Sequence, residues 1–514
     1  DALNIAIMKI LEHKPQSLFL TPCVNSLSDN FRKTYDVEFY QTDYSLVNTN
    51  IKEIRSNERV LNNHQKKSKL FDILSKLKEP SIVYVKSPNE GYKLADEYIK
   101  FLGENRVINK ELPIFEWMDK NVSEKWNLKK GGKYYVKKSN STVVAFTLGT
   151  DINLKKGFKI FGSHTDSPGF RIKPNPEMIT ENILRLNTEV YGGPILSTWF
   201  DRPLSIAGRV VVKSDNIFLP KTIRVKIEEP LMVIPNLAIH QNREVNNGVK
   251  IDKQADTLPV LGLINNKLEK DDYLLKLIAE KMKLKEEDIL DFDLYVYSIE
   301  KGCLAGANEE FISAPKIDNL ASVYAGLLGL VEAENVHDQI NVFVGFDNEE
   351  IGSATKQGAD SNYLLNTLER IVCELGYGRG EFLQMLNCSF LLSADGAHAA
   401  HPAHMNKTDP TSRGRINEGI SIKISANQSY TSDGFSIAVV KQIIEGTDIK
   451  IQPFVNQSNE RGGSTIGPIS STHLDIDAVD LGVPMLAMHS VRELCGIYDV
   501  FYLKELAKEF FNKN

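Results

Sequence analysis

Apolar and polar positions change their spacing several times along this chain. In the first hundred residues short apolar runs alternate with helical patterns: SIVYV (81–85) reads as a strand and GYKLADEYIKFL (91–102) as the helix after it. NNHQKKSK (62–69) is polar and basic, and reads as a linker or exposed loop. From about residue 172 to 300 the runs are short, β-rich and broken by Gly, Pro, Asn and Asp, as in ILRLNTEVYGG, AGRVVVKSDNIFLPKTIRVKIEEP and DLYVYSIEKG. That texture predicts a mostly antiparallel module, with one Lys/Glu-rich helical stretch, DDYLLKLIAEKMKLKEEDIL, inside it. On either side, residues 140–165 and 315–505 alternate strand-like and helix-like segments, which predicts an α/β sheet domain. The expected organisation is an N-terminal segment at 1–120, a discontinuous α/β domain at 121–171 and 300–514, and a β-rich insertion at 172–299.

Length and composition narrow the class. At 514 residues the chain exceeds one ordinary domain, and 42% hydrophobic with 25% charged residues is the balance of a soluble globular protein. A net charge of −6, from 61 basic and 67 acidic residues, argues against a dedicated nucleic-acid surface. No apolar stretch reaches 18 residues, so no membrane span is expected. The opening DALNIAIMKILEHK lacks a basic n-region and a small-residue cleavage site, so no signal peptide is expected; without a starting Met, the natural start is expected upstream. Cys23, Cys303, Cys373, Cys388 and Cys495 are scattered with no CxxC pair, and read as free thiols in a reducing compartment, the cytoplasm.

Four apolar runs end in an acidic residue or a histidine. FKIFGSHTD leads to His164 and Asp166, INVFVGFDNEE to Glu349 and Glu350, SFLLSAD to Asp395, and VPMLAMHS to His489. Asp318, in SAPKIDNLASVYAGLLGLVEAE, precedes a long helical pattern. Taken singly, each has an ordinary reading: a structural histidine, a helix cap, a solvated turn. Sites in open α/β sheets gather beyond the carboxyl ends of the strands, so neighbouring strands would bring all of these together. Imidazole and carboxylate are zinc donors. Five of them exceed what one catalytic zinc takes and fit two ions sharing a carboxylate. Adjacent side chains on extended backbone diverge, so one of Glu349 and Glu350 can bind metal while the other serves as general base. Asp166 stands where it can hold the second ring N–H of His164. A rival cluster, His398, His401 and His404, has helical spacing, but Pro402 breaks a helix there, so one of these is expected only to line the pocket.

These residues, in this order, resemble the aspartyl aminopeptidase family of dinuclear zinc peptidases. EKWNLKKGGKYYV, GSHTDSPGFRIKP, VYGGPILSTWFDRPL, IPNLAIHQNRE, SAPKIDNLASVYAGL, FDNEEIGS, SADGAHAAHP, NQSY, GGSTIGPI and AMHSVRE carry the likeness, from about residue 124 to the end. It implies a mixed-sheet zinc-exopeptidase domain with helices on both faces, interrupted by a dimerisation and substrate-gating module. It also implies two Zn²⁺ per subunit, with Mn²⁺ or Co²⁺ as other candidate ions. Asp318 would bridge them, His164 and Asp395 would complete one, and Glu350 and His489 the other. Glu349 would be the base and Asp166 would orient His164. The family removes N-terminal Asp or Glu from peptides. Lys423, a cation to face the substrate carboxylate, and Tyr430 match its pocket positions. His240 matches a histidine that reaches a neighbouring subunit's site, within dodecamers built from dimers.

Residues 1–120 depart from the family's usual start. EPSIVYVKSPNEGYKLADEYIKFL and FEWMDKNVSEKWNL loosely resemble part of a DExD/H-type helicase's second motor domain, yet no GxxxxGK[ST] or DExD/H motif occurs. Two alternatives stand beside acidic-residue cleavage: a dinuclear aminopeptidase of broader or neutral specificity, and a non-catalytic scaffold whose N-terminal segment associates with nucleic acid.

Overall fold

The computed structural model describes residues 126–513 except 249, 264–271, 335–336 and 461, together with short strands before them. The chain divides into two compact units, Asp1–Phe115 and Glu116–Asn514. In the first, Ser17–Leu20, Ser81–Tyr84, Glu38–Thr42 and Thr49–Ile51 form a four-stranded sheet in that order. The SIVYV run is therefore a strand; the helical pattern at 91–102 lies outside the described residues.

The second unit is built on a nine-stranded mixed sheet. Its middle runs Asp477–Gly482, Phe390–Ala394, Phe158–His164, Ile340–Phe346, four neighbours that are all parallel. Every residue of Ile340–Phe346 is buried, the near-continuous apolar run of a strand covered on both faces. Alternate side chains go to opposite layers. Ile160, Val342 and Leu391 pack with Leu368, Ile371, Phe382 and Ile466 from the helices Tyr363–Glu374, Arg379–Leu386 and Ile466–Leu474. Phe161 and Phe343 face the other way, toward Gly326 of the helix Ile317–Glu332.

That helix pairs with Ile497–Asn512, and Gly329 sets their approach. A Cβ there would lie 2.5 Å from Ala507 Cβ and 2.8 Å from the Lys508 backbone nitrogen. Gly329→Ala gains about 1 kcal/mol of helix propensity but forces two backbones apart, an overpacking cost of about 1–3 kcal/mol. Because backbone cannot move aside like a side-chain tip, a net loss is expected, seen as a lower melting temperature at fixed metal concentration. An unchanged or raised melting temperature would show that the helices separate freely.

Two smaller sheets complete the unit. Lys221–Lys226, Leu204–Val212, Ile289–Ser298, Gly169–Thr180, Ile183–Tyr191 and Val260–Leu263 form an antiparallel six-stranded sheet, in that order. Among the described residues, the helical pattern at 271–290 gives the α-helix Tyr273–Met282 and a single 3₁₀ turn, Glu286–Asp288. Lys283 turns left-handed (φ 54°) and closes the helix, and the period-two pattern that follows becomes the strand Ile289–Ser298. A five-stranded sheet, in which Glu493–Gly496 lies between Phe311–Ala314 and Pro484–Leu486, borders the site.

Candidate metal centre

Three of the four parallel strands deliver ionisable groups at their carboxyl ends. His164 ends Phe158–His164, Asp395 follows Phe390–Ala394, and Glu349 with Glu350 follows Ile340–Phe346. Asp318 comes from the opening turn of the Ile317–Glu332 helix, where its backbone is non-helical (φ −77°, ψ 105°). His489 arrives differently from the strand tip expected for VPMLAMHS. Its strand, Pro484–Leu486, belongs to the five-stranded sheet, and His489 sits in the turn beyond it at φ 68°.

The six side chains converge. His164 Nε2 is 3.2 Å from Asp395 Oδ1 and 3.4 Å from Asp318 Oδ1. His489 Nε2 is 3.2 Å from Asp318 Oδ2 and 3.4 Å from Glu350 Oε2. One triple of donor atoms, from His164, Asp318 and Asp395, lies within 4.8 Å of one another, and so does another from Asp318, Glu350 and His489. Asp318 is common to both. Glu349, His164 and Glu350 make a third such triple, with Glu349 Oε2 3.9 Å from His164 Nε2.

The electrostatics are those of crowded carboxylates. Burial, then the charge of Asp395, pushes Glu349 up to about 7; burial, then Asp318, pushes Glu350 up to about 9. Burial also works against the Asp318 anion, but His164 and His489 outweigh it and hold its carboxyl below the usual range. His164 is raised despite its burial, by Asp166, Asp318 and Asp395. Asp318 Oδ1 and Glu350 Oε1 are buried and accept no hydrogen bond among the described residues. Such orphaned oxygens are costly unless a cation meets them. Two imidazoles and three carboxylates, shared as two triples, fit two zinc ions with positions left open for water.

A second ring of contacts holds these groups. His164 Nδ1 is 3.1 Å from the Asp166 backbone oxygen and 3.4 Å from its Oδ1. The Asp166 carboxylate does more than face the ring: it accepts the backbone N–H groups of Glu349 and Glu350, each at 3.1 Å. It also accepts the Tyr191 hydroxyl at 2.7 Å, and that hydroxyl in turn accepts from Asn348 Nδ2 at 2.9 Å. Gly192 (φ 68°) leaves room for this layer, since a Cβ there would stand 3.2 Å from Glu350 Cβ. Tyr191, Asn348 and the buried Glu493 were not singled out from the sequence, although they lie inside VYGG, FDNEEIGS and AMHSVRE; a Tyr and an Asn that brace a carboxylate, and a Glu that accepts backbone N–H groups, leave no residue pattern of their own.

Lys423 is buried, with Nζ 3.2 Å from Asp395 Oδ2 and 5.4 Å from the centre of the Tyr430 ring. His240 lies in an exposed turn and belongs to none of the three triples. The His398 segment is not helical: His398 sits in a two-residue strand, while His401 and His404 are exposed with rings 4.9 Å apart.

A family model, Aminopeptidase I zinc metalloprotease (M18), matches residues 106–511. The chain belongs to the M18 family of zinc aminopeptidases. Within it, this M18 hydrolase is 54% identical over 408 residues to a probable M18 family aminopeptidase 2 of Clostridium novyi, covering 79% of this chain and 93% of the relative. It is 38% identical to one of Pseudomonas fluorescens, covering 76% of this chain and 89% of that one. Among solved structures, the Ape4 and Nbr1 complex matches with TM-score 0.72 at 36% identity, over 76% of this chain and 78% of that one. The S. cerevisiae mApe1 dodecamer matches with TM-score 0.65 at 26% identity, over 78% and 90%. The family match begins at residue 106, ahead of the 124 expected from the motifs. No helix among the described residues is long and apolar enough to cross a membrane.

Proposed function

We propose that this M18 aminopeptidase removes N-terminal Asp or Glu from peptides, using two zinc ions held by the triples that share Asp318. Lys423 carries the acidic preference. It is a buried ammonium beside a candidate metal ligand, and Asp395 is its one hydrogen-bond acceptor among the described residues. Its other N–H groups are free to meet a substrate carboxylate, a charge-assisted contact that a neutral side chain cannot return. The ammonium lies over the Tyr430 ring, whose hydroxyl accepts from Asn456 Nδ2 at 3.3 Å.

Bound at the two triples, zinc would supply the charge that acidifies water and polarises a peptide carbonyl. The protein's own groups supply the rest. Glu349 accepts a proton from the attacking water and passes it to the leaving amine. Asp166 fixes the turn that carries this base and, through its backbone oxygen, the ring of His164. His240 is proposed to act in a homo-oligomer, reaching a neighbouring subunit's site from its exposed loop; the dodecameric mApe1 supports that reading. The four described cysteines, Cys303, Cys373, Cys388 and Cys495, are free thiols, which supports a cytoplasmic setting.

The test pairs metal content per chain with hydrolysis of Glu-, Asp-, Leu- and Lys-anilides before and after chelation. Chelator-sensitive activity highest on the acidic substrates is expected; equal rates on Glu and Leu substrates would leave only the broader aminopeptidase. Lys423→Leu sharpens this. Losing one charge-assisted hydrogen bond is worth about 1.5–3 kcal/mol, on the order of 10- to 100-fold in kcat/KM for the Glu substrate. Because Lys423 also touches Asp395, the ratio of Glu to Leu hydrolysis is the readout. A uniform loss on both would make the lysine structural.

A further inference from the structure

Glu493 is 2% exposed, and the two backbone N–H groups its carboxylate accepts both belong to candidate metal ligands. The Asp318 N–H donates to Oε2 at 2.9 Å, and the His489 N–H donates to Oε1 at 2.7 Å. The topology explains how one side chain reaches both. Glu493 opens the strand Glu493–Gly496, whose neighbours on either side are Phe311–Ala314 and Pro484–Leu486. Ala314 pairs directly with Glu493, and the chain runs from it to Asp318; beyond Leu486 the other neighbour turns to His489. The carboxylate therefore stands where two strand exits diverge and ties them together by their backbones.

Burying a carboxylate beside Asp318 is unfavourable: burial, then the Asp318 charge, pushes Glu493 up to about 7. An apolar residue would avoid that cost but leave two N–H groups in the interior without acceptors. Asp318 Oδ2 and His489 Nε2, 3.2 Å apart, are two of the three donors of one triple. The third, Glu350, is held independently through Asp166. The His164, Asp318 and Asp395 triple is also secured elsewhere, by the Asp166 oxygen on His164 and by Asn319 Nδ2 on the Ala394 carbonyl at 2.8 Å.

We infer that Glu493 is a positioning residue that sets the spacing of Asp318 and His489, and so selectively governs the affinity of the ion held by Asp318, Glu350 and His489. This rests on the two-ion reading above. Partners of ligands, when removed, typically cost about 10- to 100-fold in metal affinity. Glu493→Gln is the probing change. It keeps the volume but replaces one acceptor oxygen by an NH₂ group facing an N–H.

The experiment titrates zinc into full-length, metal-stripped protein against a chromophoric chelator. Wild type is expected to take about two ions, and Glu493→Gln to keep one at wild-type affinity while the other weakens by about 10- to 100-fold. Glu493→Asp, which keeps two acceptor oxygens on a shorter arm, is expected to recover part of that affinity. Two ions at wild-type affinity in Glu493→Gln would overturn the inference. So would equal weakening of both ions, or a Glu493→Asp variant that binds the second ion no better than the Gln variant, since either describes a generally loosened fold. A wild-type protein that fails to take two ions would instead remove the two-ion reading itself.

Discussion

Glu349→Gln is expected to keep about two zinc ions per chain and to lose roughly 10²- to 10⁴-fold in kcat, the contribution of a positioned general base. The two triples that share Asp318 use His164, Asp395, Glu350 and His489, and neither needs Glu349. Gln keeps the shape and the backbone N–H that donates to Asp166, so the turn at 348–350 has no reason to move. What it removes is the ability to accept a proton. The rival arrangement is explicit in the geometry, because Glu349 also forms a triple with His164 and Glu350. Metal analysis separates the two. If the variant loses an ion along with its turnover, Glu349 is a ligand; if it keeps both ions and normal turnover, the base is some other group.

Much of this site could be read in the sequence because of how the middle of the sheet is made. Strands covered on both faces are nearly continuous apolar runs, so one such as Ile340–Phe346 stands out and the residue after it marks the sheet's edge. Several such runs ending in His or acid were informative together where each alone was not. Parallel pairing then brings their tips side by side, which is why His164, Glu349, Glu350 and Asp395 meet. The β-rich texture of 172–300 likewise announced antiparallel strands, although nothing in it gave the order in which they pair.

What escaped the reading depends on backbone groups and on distant pairing. Glu493 acts on an N–H donated 175 positions away along the chain, and Tyr191 on a carboxylate 25 positions away. The first partner is a backbone group; the second, Asp166, was readable from the sequence, but nothing in a tyrosine shows that it braces that carboxylate. His489 looked like one more strand tip, but its strand pairs with Glu493–Gly496 in another sheet, and a left-handed turn carries it into the site. The end of the 273–282 helix was hidden for a related reason: its Lys/Glu pattern continues smoothly, and only the left-handed Lys283 stops it.

Asp318→Asn tests the shared carboxylate, and the expected loss is the more complete of the two. Each oxygen of Asp318 faces a different histidine, Oδ1 toward His164 and Oδ2 toward His489. An amide keeps one oxygen, so it can serve one triple at most, and without the negative charge it serves that one weakly. Zinc content is expected to fall below about one ion per chain, with hydrolysis of every anilide substrate lost together because the defect precedes specificity. Stability gives an independent reading. A ligand that binds only the folded state raises the melting temperature as its concentration exceeds Kd. Added zinc is therefore expected to raise the melting temperature of metal-stripped wild type and to leave that of Asp318→Asn nearly unmoved. A variant that still takes up two ions and gains the wild-type thermal shift would show that the triples are filled without a bridge. The two ions would then be held as separate sites, each completed by donors other than Asp318.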